Sequence, residues 1–124
     1  MVVMLAVNLN TRNEQIRKYV RDNRKILYDF VDIESYNPDN VSFLNQGAND
    51  KCEYKDGNWC IEWQNSHTRG VDWYQTDTAH SQPLIGNLKA YGAWYLWSRL
   101  GAGTEATSVL TNPSLVGWIN ILLI

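Results

Sequence analysis

At 124 residues, 44% of them hydrophobic and 19% charged, the chain has room for one domain whose core hides about two thirds of its unfolded surface. Eleven Lys and Arg dispersed among thirteen acids give a net charge of -2, which does not favour electrostatic capture of nucleic acid. No run reaches the roughly 18 to 20 apolar residues of a spanning helix, since the longest, Leu115 to Ile124, is interrupted by Gly117 and Asn120.

In chain order, Val2 to Val7 is a continuous apolar, β-branched run of the kind a strand buried on both faces shows. It lacks the basic start of a signal peptide, so a secreted parent would carry its export signal elsewhere. Thr11-Arg12-Asn13-Glu14 has the form of a capping box and predicts a helix start. Ile16, Tyr19 and Val20 then share one face, and Arg12, Arg17, Lys18 and Arg21 fall elsewhere. A second strand is expected over Lys25 to Ile33, which makes a strand-helix-strand unit with a parallel pair.

From Glu34 to Asp56 the composition turns to Asn, Asp, Ser, Gly and Pro, with a turn at Tyr36-Asn37-Pro38-Asp39-Asn40. Cys52 and Cys60 are the two cysteines, and Asp56-Gly57-Asn58 between them reads as a turn able to bring the sulfurs together. A disulfide and two reduced thiols both fit. A zinc site does not, because two thiols without a histidine at finger-like spacing are too few ligands. Asn58 to Gln64 is either a short strand or a helical turn. A last helix runs from Pro83 or Leu84 to Leu100, closed by Gly101, with Leu84, Leu88, Gly92, Leu96 and Leu100 as its packed stripe. Among the six Trp, Trp94 and Trp97 are expected in the core, and Trp59, Trp63 and Trp73 are candidates to border a sugar-sized groove. Residues 102–124 form a tail that is either a further strand or lies past the domain end.

The piece most suggestive of chemistry is Asp77-Thr78-Ala79-His80, a carboxylate three residues before an imidazole where the last helix starts. Such a turn can fix one ring nitrogen and leave the other to take a proton from a nucleophile. A histidine hydrogen-bonded to Asp77 for purely structural reasons fits the same spacing. Gly47-Ala48-Asn49-Asp50 reads as a loop tether. Ser35 is a poor substitute nucleophile, since Glu34 and Tyr36 offer no glycine to relax a strained elbow. Asp29, Asp32 and Glu34 read as loop anchors, with strand alternation placing Asp32 and Glu34 together, and His67 as solvated.

Lys25-Ile26-Leu27-Tyr28-Asp29-Phe30-Val31-Asp32-Ile33-Glu34-Ser35-Tyr36-Asn37-Pro38-Asp39 resembles a block of bacterial secreted proteins of the SGNH (GDSL-type) hydrolase superfamily. Ala79-His80-Ser81-Gln82-Pro83-Leu84 with Asn87-Leu88-Lys89-Ala90 and the Trp-rich helix after it is similar to their C-terminal histidine block. Asn13 to Arg17 and Cys52 to Trp63 also fit, and the order of the blocks agrees. The resemblance implies a flavodoxin-like three-layer α/β/α fold with a parallel sheet, of which residues 1–101 are the C-terminal part. It further implies Asp77 and His80 as the base pair of a serine esterase acting on a small-molecule or carbohydrate ester, with no cofactor or metal, in an extracellular or periplasmic setting.

No Gly-Asp-Ser or Gly-x-Ser-x-Gly nucleophile turn occurs, so the covalent step has no starting atom here. The expected reading is a hydrolase portion inactive by itself, with no nucleic-acid or membrane partner and with self-association through an exposed sheet edge. The alternative is a non-catalytic carbohydrate-binding or interaction module that uses an aromatic groove.

Overall fold

The computed structural model describes residues 2–4 and 10–101. Its elements run β1 (Val2–Met4), α1 (Asn10–Asp22), β2 (Leu27–Asp29), α2 (Phe30–Ser35), β3 (Glu53–Tyr54), β4 (Gly57–Asn58), α3 (Trp59–Ser66) and α4 (Pro83–Gly101). β1 and β2 pair in parallel over three residues, Val2 opposite Leu27 through Met4 opposite Asp29, while β3 and β4 form a small antiparallel hairpin.

α1 starts at Asn10, and the capping box does not form as expected: Glu14 accepts from Arg17 (2.6 Å). Val20 is buried with Leu27 and Val31, and Ile16 packs on them, but Tyr19 points to solvent. The helix closes without a glycine. Arg24 takes the left-handed conformation (φ 49), Lys25 N donates to Val20 O and Arg24 N to Arg21 O, the paired bonds of a Schellman end.

The second strand is shorter than its composition suggests because Asp29 ends it. The Asp29 carboxylate accepts from Val31 N (3.0 Å) and caps α2, so Phe30 to Ser35 coil instead of extending. Spacing by helical turn then replaces strand alternation: Asp29 and Asp32 face α1 together, and Glu34 faces α4.

The larger core gathers Phe43, Ala48, Cys52, Trp59, Cys60, Trp63, Leu84, Ile85 and Leu88. Each large side chain of this set contributes about 1.5–3 kcal/mol relative to an exposed one. Cys52 and Cys60 form a disulfide with no surface exposure, Asn58 caps α3 by accepting from Ile61 N, and Phe43 stacks on Trp59 with centroids 5.5 Å apart. The long loop is strapped to this core by Trp63 Nε1 donating to Asp39 (2.7 Å).

α4 crosses both halves. Leu84, Leu88, Gly92 and Leu96 are buried, whereas Leu100 is exposed. A Cβ on Gly92 would lie 2.9 Å from the Tyr28 ring, so the glycine lets β2 approach the helix, and the Tyr28 hydroxyl donates to Lys89 O.

The expected flavodoxin-like three-layer fold is overturned. Among the described residues the strands form two-stranded pairs and nothing wider, so there is no multi-strand parallel sheet for helices to cover on two faces. The self-association expected at a sheet edge loses its basis with that sheet. No described helix is long and apolar enough to cross a membrane. The tail, 102–124, lies outside the described residues.

Candidate functional site

The segment that carries Asp77 and His80 is laid along the first turns of α4. Asn87, buried on the second turn, grips Tyr74 on both sides: its Oδ1 accepts from Tyr74 N (2.6 Å) and its Nδ2 donates to Tyr74 O (3.0 Å) and to Pro83 O (3.0 Å). From α3, Gln64 Oε1 accepts from Leu84 N (3.0 Å), which satisfies one of the donors that a helix start leaves over. Gly86 admits the strap, since a Cβ there would meet Thr76 Oγ1 at 2.8 Å and Thr78 at 2.9 Å. Thr78 then closes the turn by donating to Ser81 O.

This strap fixes the backbone but does not bring the two sequence-predicted residues together. Asp77 and His80 are both exposed, and among the described residues no hydrogen bond or ion pair joins them. The imidazole stands in solvent with neither ring nitrogen engaged by a described residue. A base oriented by a carboxylate needs that contact, and it is not made here.

Ser35 fails as a nucleophile on burial: it is 0% exposed, between α2 and the loop that returns through Phe43 N donating to Ser35 O. His67, expected in solvent, stacks on Trp63 with centroids 3.7 Å apart. Its Nδ1 lies 3.0 Å from Ser66 Oγ, a serine-histidine contact that sequence reading did not single out. The same Nδ1 is 2.8 Å from Trp63 O, which accepts from Ser66 Oγ as well (2.9 Å). A carbonyl can be met only by an N–H, so Nδ1 is a donor and is no base for Ser66. The cluster is the C-terminal stop of α3.

The acids near α2 are held by cations, not by a metal arrangement. Arg17 bridges Glu14 (2.6 Å), Asp29 (2.7 Å) and Asp32 (3.3 Å), and Lys89 pairs with buried Glu34 (2.6 Å) while lying 4.7 Å over the Phe30 ring. Burial, with Asp29 beside it, pushes Asp32 up to about 6 although Arg17 pulls the other way. No group of three or more metal-ligating side chains with metal geometry occurs among the described residues. Asn49, in the Gly47 to Asp50 turn, accepts from Lys51 N and Glu53 N and donates to Glu53, a loop tether.

The aromatic residues are distributed the other way round from the sequence expectation. Trp59 and Trp63 are in the core, Trp73 is half-buried against it, and Trp94 and Trp97 are on the surface. The signal was available for α4: at 100° per residue the stripe Leu84, Leu88, Gly92 and Leu96 leaves Trp94 and Trp97 on the far side of the helix, whereas the short α3 has no comparable stripe to place Trp59 and Trp63.

No protein-family model matches the chain, and no similar curated protein or solved structure was found.

Proposed function

We propose that the chain carries the histidine block of a hydrolase of small-molecule or carbohydrate esters, similar to the SGNH-type block in its residues but not in the fold around them, and that these 124 residues turn over no ester by themselves. The observation that carries this reading is His80: an accessible imidazole in the block that resembles the family's histidine block, at the head of a helix clamped from two sides by Gln64 and Asn87. A fixed backbone under a free ring suits a base that waits for its partners, since proton transfer requires reach within hydrogen-bond distance of the attacking hydroxyl. The nucleophilic hydroxyl and the oxyanion donors would come from polypeptide outside these residues, and contact with them would orient the ring that Asp77 does not hold. The Cys52–Cys60 disulfide is compatible with an extracellular or periplasmic setting.

The test joins sequence to kinetics. The reading frame upstream of Met1 is expected to encode a Gly-Asp-Ser block, and the extended protein to hydrolyse p-nitrophenyl acetate with a loss of about 100-fold or more on His80→Ala. The present chain and its His80→Ala variant should give equal, near-background rates. An upstream frame without the block, or an extended enzyme indifferent to His80→Ala, would overturn the proposal.

A further inference from the structure

The loop that carries His80 has few ties of its own. Among the described residues, none of 74–83 is buried, and none of 74–81 makes a backbone-to-backbone hydrogen bond. Such bonds stop at Trp73 O, which accepts from Gly70 N, and resume at Gln82 O, which accepts from Gly86 N. The Thr76 and Thr78 hydroxyls donate to Pro83 O and Ser81 O, so they close the loop on itself. The hydrogen bonds that tie it to a buried side chain, among the described residues, all go to Asn87.

Asn87 is 5% exposed, beside buried Leu88 and three residues after buried Leu84. A helix position of that kind favours an apolar residue, because Asn is a weak helix former and a buried carboxamide is costly unless its hydrogen bonds are made. Here the loop makes them. Oδ1 accepts from Tyr74 N, and Nδ2 donates to Tyr74 O and Pro83 O, so one side chain holds the loop at both of its ends. We propose that Asn87 is the positioning residue of His80: by pinning residues 74 and 83 together, its carboxamide sets where the imidazole stands. The use of that placement rests on the hydrolase reading, in which a displacement of about 1 Å at the base costs about 100-fold in rate. The pinning itself belongs to this chain and involves neither an ester nor upstream polypeptide.

Amide hydrogen exchange and proton NMR on the full chain test it. In the unsubstituted protein the Tyr74 amide should exchange at least about 10-fold more slowly, relative to its intrinsic rate, than the amides of Gln75, Thr76 and Asp77, which have no acceptor among the described residues. Asn87→Leu is close in size and suited to a buried helix face; it removes all three bonds and should erase that difference with unchanged far-ultraviolet circular dichroism. The two imidazoles supply an internal control. Asn87→Leu should shift the His80 ring resonance, assigned through His80→Ala, and leave that of His67, which is stacked on Trp63 at the end of α3. A Tyr74 amide that exchanges as fast as its neighbours in the unsubstituted protein overturns the proposal. So does a folded Asn87→Leu in which Tyr74 stays protected, His80 does not move, or both imidazoles shift alike. The hydrolase reading stands or falls separately, on the upstream frame and the His80→Ala kinetics.

Discussion

Replacing Asp32 by Asn isolates the electrostatics of the α1–α2 junction. Asp32 is one quarter exposed, with Arg17 3.3 Å away, and burial together with Asp29 raises it from 3.8 to about 6. Its unfolded-state value is the lower one, so the folded protein binds this proton more tightly than the unfolded chain. The stability it contributes is therefore fully present below pH about 4 and is lost as pH rises through about 6. Between about pH 5 and 7.5 that linkage amounts to about 1.4 kcal/mol, and solvent screening at a partly exposed group leaves about 1 kcal/mol. Asn cannot titrate, so the stability difference between Asp32→Asn and the parent should favour the variant more at pH 7.5 than at pH 5, by about that amount. Urea unfolding of both proteins at the two pH values measures it, with Asp32→Asn cancelling the background titration of other carboxylates. A difference that does not change with pH, or that moves in favour of the parent at pH 7.5, would refute the argument.

Two further outcomes follow from the packing. Reduction of Cys52–Cys60, or the paired change to Ala, should cost about 2–3 kcal/mol, since the bridge closes a short loop whose ends sit in the main core; urea unfolding with and without reductant reads the loss. Gly92→Ala should destabilise by about 1–3 kcal/mol, although Ala favours a bare helix by about 1 kcal/mol, because the added methyl meets the Tyr28 ring at 2.9 Å. A rise in thermal midpoint for Gly92→Ala would show that β2 does not press on α4 there.

Particular residues show what was legible before the fold was known. Apolar spacing and the Pro83 and Gly101 boundaries located α4, and the turn residues between Cys52 and Cys60 admitted the disulfide, because both rest on interactions between near neighbours. The run Lys25 to Ile33 misled, since β-branched composition argues for a strand while one Asp29 side chain bonding to Val31 N is enough to start a helix. Asp77 and His80 have a spacing that permits contact, but spacing does not compel it, and the strap held by Asn87 and Gly86 leaves the two side chains apart in solvent.

The sequence by itself determined the helix periods, the charge balance and the cysteine turn, all of which are set within a few residues along the chain. Only tertiary structure decided that the indoles of α3 are inside. Trp59 and Trp63 pack in the core with Phe43 and the disulfide, and no pattern within so short a helix encodes what stands against it. The pairing of charges followed the same rule: Arg17 with Asp29 and Asp32, and Lys89 with Glu34, are contacts across elements, fixed when hydrophobic burial brought those elements together.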